Sequence, residues 1–266
     1  MFFDQNQTLE INKFYSKNGF AVIKNVFKKK DLIKVKKKIF QNIKSDQKDY
    51  FFENTNKKKI LRRIERVTDH FKDIKDMAYS KKILKLLSLN RKKNVLFKDK
   101  LNLKFPNGAG FLPHLDGHFF WSKLNQKIIQ KGWKPYSNSF TNLAIHLDSA
   151  SKKSGCLFIA CKNDTKKIGR NWGDITRKLT FNTPNISKKD LKKFKFFPIE
   201  VDRGDVVIFD WKCAHYSNKN KSRSSRMIIY LTYCESNLKS VRKKYYKDKE
   251  LSKTDESFKG CIYKKN

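Results

Sequence analysis

Little in this sequence suits a secreted or membrane-spanning protein. Five cysteines (Cys156, Cys161, Cys213, Cys234 and Cys261) are scattered over 266 residues. So odd and sparse a set excludes a disulfide framework and reads as reduced thiols. No run approaches the roughly 18 apolar residues of a membrane span. The opening MFFDQNQTLEINKFY lacks the basic-then-apolar order of a secretory signal. The expected compartment is therefore the cytoplasm. Histidine is scarce too, five in all, which keeps the list of chemistry-bearing side chains short.

What is present is apolar surface and positive charge. Apolar residues make up 38 % and aromatic residues 14 %, with 22 Phe, which excludes a disordered chain despite 33 % charged residues. The net charge of +37 would suit a polyanion partner. Only ten of the 62 basic residues are arginine, however, and the lysines are spread along the chain. Phosphate recognition would favour arginine's bidentate fork. Lysine enrichment of this kind is the mark of an AT-rich genome, so no dedicated nucleic-acid partner is expected.

The order of patterns gives one domain over residues 1–266. Residues 1–95 read as a helix-rich part, with helices at 8–18 closed by Gly19, at about 30–45 and at 81–89, and a strand at Phe20–Phe27. Residues 46–66 carry no clear pattern. From 96 to 235 short apolar or alternating runs are separated by turn signals such as PNGAG, KKSG and DRGD, which predicts a sandwich or barrel. Residues 236–266 read as a basic, flexible tail. The fold class is mainly β with flanking helices.

Chemistry concentrates in two places. In FLPHLDGHFFW, residues 111–121, His114 and Asp116 are two apart, so on a strand both project to one face. A third group is available from His215, in DWKCAHYSNKNKSRSSR on a later strand. Two histidines and one carboxylate on one face form the triad that holds non-haem Fe(II) with positions left open. Zinc is disfavoured, because Cys156 and Cys161, five apart, lie on opposite strand faces. Arg226, downstream of His215, supplies a fork for the far carboxylate of a 2-oxo acid.

These residues resemble the phytanoyl-CoA dioxygenase family of Fe(II)- and 2-oxoglutarate-dependent oxygenases. Four segments carry the resemblance, over residues 10–235: KFYSKNGFAVIKNVFKKKDL (13–32), SGCLFIACKND (154–164), GDVVIFDWKCAH (204–215), and the spacing of His215, Ser217, Asn220, Ser222 and Arg226. The resemblance implies a double-stranded β-helix (jelly-roll). It implies Fe(II) on His114, Asp116 and His215, and 2-oxoglutarate held by Arg226, Ser217 and Asn102, with O2 as the second co-substrate. A carboxylate at 116 favours hydroxylation over halogenation. Two features depart from the pattern. Asn163-Asp164 replaces the usual Ser-His, and Ala144 or Asn142 stands where some relatives place a tryptophan.

The expected reaction is hydroxylation of a C–H bond in a small molecule of anionic character, with release of succinate and CO2. His118, Phe120 and Trp121 are expected at the substrate rim, together with Phe119, and Trp133 and Tyr136 in a lid or a plain surface loop. His146 and a buried Cys213 are read as structural. The alternatives are a polyanion-binding barrel without catalysis and a nucleic-acid-directed oxygenase. The second would carry two arginines six apart, whereas Arg223 and Arg226 are three apart.

Overall fold

The computed structural model describes residues 1–43, 48–54, 59–88, 93–117, 120–123, 126–168, 186 and 188–252. Strands are β1 (Phe2–Phe3), β2 (Phe20–Ile23), β3 (Tyr50–Asn54), β4 (Lys59–Glu65), β5 (Asn94–Lys104), β6 (Phe111–His114), β7 (Phe120–Lys123), β8 (Gln126–Lys131), β9 (Phe140–His146), β10 (Leu157–Ala160), β11 (Phe196–Ile199), β12 (Val206–Asp210), β13 (His215–Ser217) and β14 (Arg226–Glu235). A major sheet runs β1-β2-β12-β9-β14-β5-β4-β3, a minor one β11-β10-β13-β6, and β7-β8 is a hairpin.

Helices coat the outer face of the major sheet because their apolar spacing demands a partner. Helix α1 (Thr8–Asn18) ends at Gly19, whose φ of +84° lets its N–H reach the Tyr15 carbonyl. Helix α2 (Lys29–Gln41) buries Leu32, Val35 and Ile39 and turns its lysines to solvent, except Lys36, which pairs with Asp148 at 2.6 Å. Helices α3 (Val67–His70), α4 (Lys72–Ala78) and α5 (Lys81–Leu87) add Val67, Ile74 and Ile83 to the same core. From the sheet come Leu101, Leu103, Leu143, Ile145, Ile208, Ile229 and Leu231.

The other face of the major sheet packs on the minor one. Phe20, Val22, Ala144, Val207, Phe209 and Ile228 meet Leu157, Ile159 and Ile199 across the gap. This is the expected double-stranded β-helix, built as two facing sheets; hydrogen bonding among the described residues does not close them into a barrel. No helix among the described residues is long and apolar enough to cross a membrane.

Several expectations change. The strand expected over Phe20–Phe27 stops at Ile23, because Asn25 takes a left-handed φ of 52° and its N–H is held by Asp205. The unpatterned 46–66 segment supplies β3 and β4, which extend the major sheet beyond β5. The expected tail contains a helix, Val241–Ser252, whose Val241, Tyr245 and Tyr246 are buried; residues 253–266 lie outside the described part. Trp133 and Tyr136 do not form a lid or a surface loop. Both are buried with Phe97, Phe140, Trp211 and Tyr245 in an aromatic core, and the Tyr136 hydroxyl donates to Asp248 at 2.7 Å.

Candidate metal and co-substrate site

Strand β13 lies in the middle of the minor sheet, and its register sets His215 opposite His114 at the end of β6. The two imidazole centroids are 4.2 Å apart. Asp116 is not on the strand, as the i, i+2 argument assumed, but in the turn after it. Leu115 is buried against Ala160, Phe194 and Ala214, and that anchor swings Asp116 back toward both histidines. Gly117, at φ +74°, continues the turn; a Cβ there would meet Trp133 at 2.9 Å.

The hydrogen bonds fix which ring nitrogens are free for chemistry. Nδ1 of His114 is 2.6 Å from the Leu112 carbonyl, and Nδ1 of His215 is 3.0 Å from the Cys213 carbonyl. Each ring thus donates through Nδ1 and turns Nε2 toward Asp116. Those Nε2 atoms lie 4.0 and 3.8 Å from the two Asp116 oxygens. One ligand atom from each residue falls within 4.8 Å of the others. Burial and the facing His215 push the His114 pKa down to about 3. Burial alone would raise the Asp116 carboxyl, but His215 and Lys100 outweigh it and hold it below its ordinary value. Two imidazoles beside a carboxylate are the donor set of a divalent transition metal.

A residue that sequence reasoning did not place in the site orients that carboxylate. Asn142 on β9 donates from Nδ2 to Asp116 at 2.9 Å, and its own oxygen accepts from the Thr232 hydroxyl at 2.7 Å. Asn142 stands at one of the two positions where the resemblance led to a missing tryptophan.

The second part of the site is a buried group of cations. Arg226 begins β14 and is 1 % exposed; its Nη1 donates to the Gly155 carbonyl at 2.7 Å, while its buried Nε has no partner among the described residues. Opposite it in register is Lys104, the last residue of β5, fully buried. Lys104 Nζ donates to the Ser217 hydroxyl at 2.8 Å and to the Asn218 and Gly155 carbonyls. Arg62 is 3 % exposed nearby and donates to the Leu103 and Ala109 carbonyls. Burial, then Arg226 and Arg62, pushes Lys104 down to about 5. Gly155 (φ +74°) makes the close approach possible, since a Cβ would fall 2.3 Å from the Asn218 oxygen. Glu53, 3.7 Å from Arg62, is the carboxylate of this group. A buried site so rich in donors and so poor in anions is built for an acidic ligand.

Other expected residues fall as follows. Ser217 joins the cation group through Lys104. Asn102 lies on the same face of β5, its oxygen accepting from Arg63 at 3.3 Å. His118 lies outside the described residues, and Phe120 and Trp121 are placed on β7 by backbone alone. Cys213 is buried, its thiol donating to the Gly19 carbonyl at 3.3 Å. His70 is tied to Asp49 at 3.0 Å. His146 is fully buried near Arg226, and neither ring nitrogen makes a hydrogen bond among the described residues. Burial and Arg226 lower its pKa to about 3, against a pull from the Ala144 and Asp205 carbonyls.

With this geometry in hand, comparison with known proteins gives a consistent picture. The family profile described as phytanoyl-CoA dioxygenase matches residues 15–228. A 2-aminoethylphosphonate dioxygenase from uncultured bacterium HF130_AEPn_1 is 31 % identical over 72 % of this chain and 65 % of its own length. A methylphosphonate hydroxylase from Gimesia maris is 25 % identical over 59 % of this chain and 52 % of its own. The match thus spans about two thirds of one relative and half of the other. Among solved structures, the non-heme alpha ketoglutarate dependent epimerase SnoN superimposes with a TM-score of 0.65 at 12 % identity, covering 86 % of this chain and 84 % of SnoN. At that identity the likeness shows the fold.

Proposed function

The chain belongs to the phytanoyl-CoA dioxygenase family, and we propose that it is an Fe(II)- and 2-oxoglutarate-dependent dioxygenase that hydroxylates a C–H bond of a small anionic molecule. One observation carries this reading: three metal-ligand side chains share the cleft between the sheets with buried cations that lack a full set of counter-ions. His114, Asp116 and His215 would hold the iron. Arg226, with Ser217 and Lys104, would receive the distal carboxylate of 2-oxoglutarate, and its unpartnered Nε is the donor that carboxylate would satisfy. Asn102 and Arg63 line the same wall.

Iron, 2-oxoglutarate and O2 together supply the oxidation, in which substrate C–H becomes C–OH and the co-substrate leaves as succinate and CO2. The protein's part is placement. The Leu112 and Cys213 carbonyls fix both imidazole tautomers, and the Thr232–Asn142 relay aims Asp116. The facing apolar residues Phe209, Val207 and Leu157 keep bulk water out of the interior. No side chain is needed as an acid or base. The names of the two relatives, both acting on phosphonates, support an anionic substrate. His118, Phe120 and Trp121, just beyond Asp116, remain the residues assigned to the substrate rim. The free thiols Cys156, Cys213 and Cys234 suit a reducing cytoplasm.

The test is anaerobic. Fe(II) and 2-oxoglutarate added to the protein should give the weak visible band of a chelated 2-oxo acid, and admitting O2 with substrate should release succinate. No band, with iron unbound, would overturn the reading and favour a polyanion-binding protein without catalysis.

A further inference from the structure

The co-substrate cations do not exhaust the positive charge inside the molecule. Strand β5 turns Lys98, Lys100, Asn102 and Lys104 to one face, opposite Thr232, Tyr230, Ile228 and Arg226 of β14. Lys104 serves the end where Arg226 lies. Lys100 is four residues back, about 13 Å along the strand. Its Nζ stands 5.2 Å from the Tyr230 ring centroid, and that of Lys98 stands 5.6 Å from both the Trp133 and Tyr245 rings. Neither ammonium makes a hydrogen bond or an ion pair to a described residue.

The acidic groups facing them have other partners, although the buried Oε1 of Glu65, opposite Lys100 in register, accepts no hydrogen bond among the described residues. Glu65 is paired with Lys249 and lies 3.7 Å from Arg63, and Asp116 is held by Asn142 among the metal-ligand residues. Trp133, beneath Lys98, packs against Gly117, the residue that follows Asp116, which places this face of β5 beside the metal-ligand cluster. Burial, then Arg63 and Lys98, brings Lys100 down to about 7, as befits an ammonium short of a counter-ion.

We propose that Lys98 and Lys100 form the subsite for the anionic head of the primary substrate, and that this head is a tetrahedral phosphorus oxyanion, a phosphonate or a phosphate monoester. The inference rests on the reading of His114, Asp116 and His215 as the iron centre. Two ammonium groups call for up to two negative charges, and each can donate to a different oxygen of one head. A phosphonate supplies three oxygens and up to two charges, whereas a carboxylate supplies one charge. Aromatic rings lie within cation–π distance of both ammoniums, Tyr230 at 5.2 Å from Lys100 and Trp133 and Tyr245 at 5.6 Å from Lys98.

Two measurements test this on the full chain. In the first, methylphosphonate is titrated into the anaerobic Fe(II)–2-oxoglutarate protein, with acetate as comparator, and the shift of the visible band is read. Lys98→Met and Lys100→Met should each weaken methylphosphonate about tenfold or more while leaving 2-oxoglutarate affinity unchanged. In the second, lysines of the metal-free protein are labelled with acetic anhydride and mapped by mass spectrometry; methylphosphonate should protect Lys100.

The inference is overturned if Lys100→Met weakens 2-oxoglutarate as much as methylphosphonate, since the lysine would then serve the co-substrate. It is overturned equally if acetate binds as well as methylphosphonate, or if Lys100 labelling ignores methylphosphonate up to about 10 mM. Absence of the 2-oxoglutarate band would instead remove the iron reading, while the labelling experiment would still report on the subsite.

Discussion

Arg226→Met should separate what the guanidinium does for the ligand from what it does for the fold. Methionine keeps much of the volume and removes the charge. With 2-oxoglutarate bound, the substitution deprives a buried carboxylate of its fork. At about 4 Å and an effective dielectric near 20 the lost attraction is about 4 kcal/mol, within the range of about 3–5 kcal/mol for breaking a buried pair. The dissociation constant should rise by two to three orders of magnitude, roughly. Without ligand the sign differs. Arg226 sits against Lys104 and Arg62 and helps depress the Lys104 pKa, and its Gly155 hydrogen bond is duplicated by Lys104 at 3.3 Å. Removing it relieves repulsion, so the empty variant should melt no lower than the wild type. The assay pairs an anaerobic 2-oxoglutarate titration of the Fe(II) protein with thermal melts of the metal-free protein. Affinity within about threefold of wild type, or about 0.7 kcal/mol, would refute the assignment of the clamp.

Other substitutions probe the surroundings of the two centres. Lys104 titrates near 5 in the fold and near 10.5 when exposed, so the unfolded chain binds the extra proton between those values. Stability of the empty protein should therefore rise with pH across that window, and urea unfolding at pH 6 and pH 9 should show a smaller rise in Lys104→Met. Asn142→Ala should weaken metal binding by about 10- to 100-fold without touching a ligand, because Asp116 loses its aim; metal titration by calorimetry checks this, and unchanged affinity would sink the relay. His146→Leu removes an imidazole with no hydrogen bond among the described residues, so chemical denaturation should show a neutral or stabilising change. A loss above about 2 kcal/mol would mean the ring is satisfied in solution.

The metal-ligand cluster was legible because its information is local. His114 and Asp116 are two residues apart, and His215 opens a run whose spacing to Ser217 and Arg226 is set by a single strand-turn-strand. Lys104 and Lys100 were illegible for the opposite reason. KLNLK, residues 100–104, alternates as a half-exposed strand would, and such a pattern normally sends its polar set to water. Here the apolar set, Leu101 and Leu103, faces the helices, and the polar set faces the cleft between the sheets. Only knowing that both faces of β5 are covered reverses the assignment. Trp133 and Tyr136 were misplaced because their partners, Tyr245 and Tyr246, come from a lysine-rich helix whose own pattern is weak. Asn142 lies in a fully buried strand beside Thr141, where a polar residue carries no periodic signal.

The same reversal bears on the net charge of +37. Genome bias places lysine on a surface at little energetic cost, so the exposed lysines of α2 need no functional account. A lysine or arginine inside the cleft differs, since burying a cation without its counter-ion costs several kcal/mol. Arg226 sits at that cost, Lys104 beside it is pushed toward its neutral form, and Arg62 has Glu53 at 3.7 Å; leucine or methionine at 104 and 226 would be tolerated by the fold alone. An acidic ligand is what turns the arrangement favourable. Each such ligand should then stabilise the fold in proportion to its affinity, and the cations it touches should gain protons as it binds. The large basic excess thus divides in two: an outer part that composition explains, and a small inner part that only ligand chemistry does.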